Sequence, residues 1–105
     1  METGPERTYA ADVADVIEID HIRRARKLFS ILLGRMGVEY FLSPREGPRP
    51  RIDPRRCHDT LELCCDWIHR RTGTVVPDAT REVMQRQLRR LLIQQIAETL
   101  VRAGY

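Results

Sequence analysis

The sequence predicts an all-α fold, a small bundle of three main helices preceded by a short acidic helix or arm. Every apolar pattern longer than about five residues repeats with the period of a helix, and none alternates strictly over the length of a strand. A cluster of prolines separates two of these patterns. With 105 residues, the chain can bury one modest core, which predicts a single domain.

The acidic N-terminal arm covers residues 1–19 and precedes a helical domain at residues 20–105. The start of the arm is polar and lacks periodicity, which predicts partial disorder. Val13, Val16 and Ile17 share one face of a helix, so the rest of the arm favours a short helix over an extended segment. Such an arm could fold over the protein's own basic surface or dock on a partner.

The first helix of the domain should begin at Asp20, which is a suitable N-cap, and reach about Leu42. Gly34 and Gly37 weaken its middle, where the helix could bend or end. Its apolar residues fall within an arc of about 140°, which predicts the buried face. This face consists of Ile22, Ala25, Leu28, Phe29, Leu32, Leu33, Met36 and Tyr40. The opposite side, here called the basic face, consists of Arg23, Arg24, Arg26, Lys27 and Arg35.

A connector rich in proline and arginine follows at residues 43–56. Proline lacks a backbone donor and holds the preceding residue extended, so the connector should be stiff and polyproline-like. Loops of this length inside small domains are often functional or disordered. The connector contains Arg45, Arg49, Arg51, Arg55 and Arg56.

The second helix should begin where Asp53 precedes Pro54, an N-cap followed by proline at the first helical position. Gly73 should end it after Thr72 in a left-handed conformation. Its apolar stripe consists of Cys57, Leu61, Cys64, Cys65 and Ile68, with Trp67 beside it.

The last helix, within residues 80–103, is the longest apolar segment, and the bundle should form around it. Asp78 is a suitable N-cap. A helix that is apolar over most of its girth must be covered on more than one side. Either the chain's own core covers both stripes, or another chain covers the second. The first stripe consists of Met84, Leu88, Leu91 and Leu92. The second contains Ile93, Ile96, Leu100 and Val101, which we predict contact a second copy or a different protein.

The chain contains no recognisable reaction centre. GxSxG, P-loop, HExxH, GxGxxG and CxxC motifs are all absent from the sequence, so we predict no enzyme, no cofactor and no small-molecule substrate. Cys65 and His69 lie one turn apart and are weak candidates for a metal site. Cys57 and Cys64 fall in the middle of an apolar stripe, however, which favours buried thiols and no metal.

Charge and composition instead indicate binding. Residues 1–20 carry a net charge of −5, so the rest carries +8, and 17 of the 18 basic residues are arginine. Arginine favours bidentate contact with phosphate or carboxylate, although GC-rich coding explains the bias equally well. We predict a regulatory protein–protein interaction module. The alternative is a dimer that binds duplex RNA or DNA. In both cases an acidic partner, either a carboxylate-rich protein surface or a nucleic acid, would contact the same basic residues. These are Arg23, Arg24, Arg26, Lys27, Arg35, Arg49, Arg51, Arg55 and Arg56.

The sequence also predicts an intracellular protein, cytoplasmic or nuclear, with no membrane association. No apolar run approaches the ~18 residues of a membrane span, and the segment METGPER lacks the basic start and apolar core of a secretory signal. In composition, the chain is similar to small arginine-rich viral accessory proteins. This analogy carries no residues over.

Overall fold

The computed structural model describes residues 4–43 and 51–104, with side chains from residue 13 onward. Apart from one isolated bridge that pairs Leu42 with Ile52, no β-structure occurs in these ranges. The predicted all-α bundle of three main helices is therefore confirmed. The helices are α1 (Gly4–Met36), α2 (Pro54–Thr72) and α3 (Asp78–Arg102).

Helix α1 is longer at its start than the sequence predicts. It begins at Gly4, so the start predicted at Asp20 is wrong, and the helix includes most of the segment whose polar composition predicts disorder. Asp20 does not act as a cap because it lies inside α1, where its carboxylate accepts a hydrogen bond from Arg24 Nε at 2.8 Å. No proline or glycine occurs between Glu6 and Asp20, so nothing interrupts helix propagation there. The division of the chain at residue 19 stays a prediction.

Helix α1 ends at Met36 because Gly37 takes φ 80° and ψ 153°, a conformation that essentially only glycine adopts. The chain then forms a short 3₁₀ helix, Val38–Phe41, which buries Phe41 completely. The predicted extension to Leu42 is wrong for this reason. The predicted burial of Tyr40 is also wrong, because this residue belongs to the 3₁₀ helix and is exposed, and so is that of Met36, which is 40% exposed at the last position of α1.

Helix α2 has the two ends that the sequence predicts. The Asp53 side chain accepts a hydrogen bond from the Arg55 backbone N–H at 2.9 Å. Gly73 is left-handed, and its N–H donates to the His69 carbonyl at 2.8 Å. Helix α3 differs, because Asp78 is its first helical residue and not its N-cap. There its negative charge still interacts favourably with the helix dipole.

The helices run alternately up and down. The Asp53 N–H donates to the Phe41 carbonyl at 2.7 Å, so α2 starts beside the end of α1 and returns along it. Only residues 73–77 connect α2 to α3, and Cys65 of α2 contacts Met84 of α3, so α3 reverses again and runs in the direction of α1. The core between them consists of Ala25, Phe29, Leu33, Phe41, Cys57, Leu61, Cys64, Cys65, Ile68, Val76, Met84, Leu88 and Leu92.

The bundle covers only part of α1 and α3. Residues 13–19 of α1 are all exposed, and beyond Leu92 every residue of α3 except Ile96 is exposed. Because the two helices run in the same direction, these uncovered halves extend from opposite ends of the bundle, whose longest dimension is 62 Å. None of the described helices has the length and apolar composition needed to span a bilayer.

Candidate functional site

The first candidate site is the α3 apolar face, formed by Ile93, Ile96, Leu100 and Val101. Three of these side chains are substantially exposed: Ile93 by 50%, Leu100 by 46% and Val101 by 71%. At 100° per residue they lie largely on the side of α3 away from the buried stripe that ends at Leu92. The chain's own core therefore covers the first predicted stripe and leaves most of the second in solvent.

The α3 apolar face lies on a helical segment that is stabilised by hydrogen bonds within α3 itself. The Thr99 hydroxyl donates to the Gln95 carbonyl at 2.8 Å, and the Ala103 N–H donates to the Thr99 and Leu100 carbonyls, both at 3.1 Å. Short helical segments without tertiary packing are only marginally stable in water. This half of α3 would therefore gain stability from any surface that covered it.

The second candidate site is a groove of about 380 Å³ between α1 and α2, here called the α1–α2 groove. Its apolar part comes from Leu28 and Ile31 on α1 and from Trp67 on α2. Basic side chains of both helices surround this part. The lining residues are Asp20, Arg23, Arg24, Lys27, Leu28, Ile31, Trp67 and Arg71.

The α1–α2 groove has a positive balance of charge. Four cations line it, and Asp20 is the one acid among the lining residues, paired with Arg24 at 2.8 Å. The Arg71 guanidinium lies 5.8 Å from the centre of the Trp67 ring, within the range of a cation–π contact. The groove therefore offers both apolar area and positive charge to an occupant.

Three of the predicted basic residues, Arg23, Arg24 and Lys27, meet in the groove. Arg26 and Arg35 are exposed but do not line it. The sequence pattern does not single out Arg71, and it places Trp67 only beside the buried stripe. Their i, i+4 spacing on α2 was the available signal, but which residues of α1 they face depends on how the helices pack.

The connector arginines lie elsewhere. Arg51, Arg55 and Arg56 are at the start of α2, whereas the groove is near its end. The Arg56 guanidinium donates to the Tyr40 backbone carbonyl at 2.7 Å, and it also lies 4.7 Å from the centre of the Tyr40 ring. Arg56 therefore stabilises the junction after α1. Residues 44–50, which are half of the predicted polyproline-like connector and include Arg49, lie outside the described residues.

The three thiols are buried and free, as the stripe on α2 predicts. Burial raises the pKa of the Cys64 thiol from its ordinary 9.0 to about 12. Burial also raises the pKa of Cys57 and of Cys65. A thiol with so high a pKa stays protonated near neutral pH and is a poor nucleophile.

The weak metal candidates are not brought together by the fold. The Cys65 sulfur faces the core, 3.9 Å from Met84 Sδ, while His69 is exposed. Over the ranges that the structure describes, no three histidine, cysteine or acidic side chains are grouped so that they could hold a metal ion.

His21 is a buried polar side chain that the sequence patterns do not explain. It is 1% exposed, and its Nδ1 atom has no hydrogen-bond partner among the described residues. An unsatisfied buried polar atom typically costs about 1–3 kcal/mol. His21 does not line the groove, although Asp20 beside it does.

Comparisons with protein-family models, with curated proteins and with solved structures found no match to this chain. Its function must therefore be inferred from the geometry and chemistry of its own residues.

Proposed function

We propose that this protein is a small regulatory module that binds another protein through the α3 apolar face and acts without catalysis. One observation carries the proposal: Ile93, Leu100 and Val101 are exposed on a helical half that extends past its own core. Contiguous exposed apolar side chains on a helix are typical of helix-in-groove recognition, in which anchors recur at i, i+3, i+4 and i+7. Ile93, Ile96 and Leu100 have this spacing.

The size of the face indicates what the partner must contribute. Full burial of an aliphatic side chain stabilises by about 1.5–3 kcal/mol, so covering the three that are roughly half exposed contributes on the order of 2–5 kcal/mol, to which the partly buried Ile96 adds less. Association costs about 4–15 kcal/mol in lost translational and rotational freedom. The face alone is therefore too small for stable binding. We expect the partner to surround it with a groove that also contacts neighbouring polar residues of α3.

Two features support binding in preference to catalysis. The thiols are protonated near neutral pH, because burial raises the pKa of each of them. The acid of the α1–α2 groove, Asp20, is held by Arg24 at 2.8 Å. Neither arrangement provides the activated nucleophile and adjacent base that covalent catalysis needs.

Photo-crosslinking tests the proposed face. A photoreactive benzoylphenylalanine is introduced at Val101 or, as the matched control, at Gln95, which is exposed on another side of the same half of α3. In the cells that make the protein, we expect an adduct from position 101 and none from position 95. The captured protein, once purified, should bind the I93E/L100E variant about a hundredfold more weakly than wild type and bind Q95E normally. Equal capture at both positions, or full affinity of I93E/L100E, contradicts the proposal.

A second candidate function is binding of duplex RNA or DNA as a dimer. The observation that favours it is the meeting of Arg23, Arg24, Lys27 and Arg71 around one groove. Each phosphate neutralised should contribute about −0.9 to the slope of log affinity against log salt for duplex DNA. Fluorescence anisotropy should therefore show weaker binding and a flatter slope for R23A/R24A, with R35A as the control outside the groove. Equal slopes for the two variants exclude the groove as the nucleic-acid site.

A further inference from the structure

Helix α1 is divided electrostatically near its middle. Between Gly4 and Asp20 five acids oppose one base, a net charge of −4. From His21 to Met36 there are five bases and no acid, a net charge of +5 with histidine neutral. The acids are Glu6, Asp12, Asp15, Glu18 and Asp20 against Arg7, and the bases are Arg23, Arg24, Arg26, Lys27 and Arg35.

The acidic half cannot cover the basic half of its own helix. Helix α1 is unbroken across Asp20, so the two halves lie end to end along one axis. The expectation that an acidic arm folds back over the protein's own basic surface is therefore wrong for α1. Residues 13–19 are exposed along their whole length and remain accessible to another molecule.

One face of α1 has the spacing of a coiled-coil seam. Val13, Ile17, Asp20, Arg24, Lys27 and Ile31 are separated by four, three, four, three and four residues, which is the a/d repeat. The last four of these residues line the α1–α2 groove. Val13 and Ile17, each 40% exposed, continue the same face past the end of the groove. The seam is therefore apolar at its ends and charged at its centre.

We propose that the acidic half of α1 docks antiparallel in the α1–α2 groove of a second copy, forming a two-fold symmetric dimer. A pair centred on Ile22 places Val13 opposite Ile31 of the second copy and Asp20 opposite its Arg24. Two-fold symmetry repeats each contact, so both acidic halves are covered by both basic halves. Ile17 then lies opposite Lys27, whose aliphatic stem can pack against it.

Helix α2 widens the surface that receives the incoming helix. The Trp67 ring, 38% exposed, adds apolar area beside Leu28 and Ile31. Arg71 adds a cation that α1 alone does not provide. The groove thus matches the acidic half in both respects, because that half interleaves aliphatic side chains with carboxylates.

A second copy suits the groove better than a duplex does. A phosphate backbone would leave the Leu28 and Trp67 surfaces without apolar cover and would bring its negative charge against Asp20. A helix that presents Val13 and Ile17 together with carboxylates covers the apolar part and pairs with the surrounding cations. The charge complementarity also determines direction, because a parallel pair would set acid against acid and base against base.

A charge-reversal mixture tests the pairing. D20R has two cations at the centre of the seam and R24D has two acids, so each variant repels itself but matches the other. By analytical ultracentrifugation, wild type should dimerise, with a dissociation constant that rises about fivefold between roughly 0.05 M and 0.5 M salt. Each single variant should dimerise at least about tenfold more weakly, and the equimolar mixture should recover dimer as a heterodimer.

The mixture separates the proposal from a structural role of the same residues. Both variants lose the internal Asp20–Arg24 ion pair, and mixing cannot restore that contact. R26D makes the same change of charge on α1 outside the groove and should dimerise like wild type. A monomeric wild type up to about 0.1 mM, or a mixture no more dimeric than its components, overturns the proposal. The proposal is also overturned if the mixture forms no heterodimer and duplex RNA binds wild type but not R24D.

Disulfide trapping gives a second measurement that does not depend on charge variants. In the antiparallel pair, V13C/I31C should oxidise to a covalent dimer, whereas I19C/I31C, with its first cysteine off the seam, should not. The native thiols are buried and will not compete. Equal trapping of the two variants overturns the register. All of these α1 variants keep the α3 apolar face intact, and I93E/L100E, which changes that face, should dimerise like wild type. Failure of the α1 dimer can therefore be distinguished from failure of the proposed function.

Discussion

The two uncovered helix halves, at the start of α1 and the end of α3, are similarly exposed but differ in charge. Both are helical, both extend past the core, and both expose aliphatic side chains. Residues 13–20 of α1 carry three acids and no base, whereas residues 93–102 of α3 carry Glu98 and Arg102, which cancel. In the two contacts that we propose, apolar side chains supply affinity in both halves, but only the charged half has a complementary surface within the same chain, which specifies a direction. The neutral half leaves its partner open.

The largest expected effect contrasts two neighbours on α3, where the covered and uncovered stripes meet. Leu92 is fully buried and Ile93 is 50% exposed. Urea unfolding should show that L92A lowers the free energy of unfolding by about 2–5 kcal/mol, because it leaves a cavity in the core. I93A should cost less than about 1 kcal/mol. Equal losses would mean that the core covers both stripes, and the contrast between the two halves would disappear.

The next largest effect on stability is expected at Gly37, the residue at which α1 ends. Gly37 has φ 80°, which strains any other residue, so G37A should lower the free energy of unfolding by about 1–3 kcal/mol. Gly34 is exposed within the helix, and an added Cβ there meets nothing within 4 Å. G34A should therefore stabilise by about 0.5–1 kcal/mol. Thermal unfolding of both variants measures this, and a stabilising G37A would contradict the description of the α1 end.

Local chemistry makes much of this fold predictable. The caps at Asp53 and Gly73 depend on adjacent residues, and the buried stripe of α2 follows from helical period alone. The start of α1 is not predictable in this way, because Asp20 can cap a helix but also tolerates a helical interior. A cap residue defines an end only where the residues before it stop the helix, and here nothing does.

The α1–α2 groove is harder to predict from the sequence than the helix ends are. Its α1 side is predictable as a basic face, since that requires only the helical period. Its α2 side, Trp67 and Arg71, requires knowing which faces of two helices meet across a connector. For the same reason the sequence pattern groups the connector arginines with the basic face, although the fold holds them near the other end of α2.

The covered part of the molecule should show its own pH signature, which neither uncovered half can produce. The Cys64 thiol ionises near pH 9.0 in the unfolded chain but only near pH 12 in the fold, because burial raises its pKa. The unfolded state therefore loses its proton first, and stabilisation that is complete below pH 9 is lost as the pH rises towards 12. The slope should be about 1.4 kcal/mol per pH unit for this thiol. Urea unfolding of wild type and C64A should show the steeper decline in wild type, and identical slopes would contradict the burial.

The smallest expected effect sharpens the comparison most, because salt should act differently on the two uncovered halves. Association through the acidic half of α1 depends on ion pairs near the surface, and exposed pairs contribute about 0.2–1 kcal/mol each and are screened by salt. Raising the salt concentration tenfold should therefore weaken the α1 dimer by about 1 kcal/mol. Binding through the α3 apolar face involves no net charge and should change by less than about 0.3 kcal/mol, with sulfate salts strengthening it through the hydrophobic effect. Sedimentation of the I93E/L100E variant isolates the α1 dimer, and titration of D20R with the captured partner isolates the α3 contact. If both respond to sodium chloride by the same amount, charge does not distinguish the two halves, and the direction proposed for the α1 pair loses its physical basis.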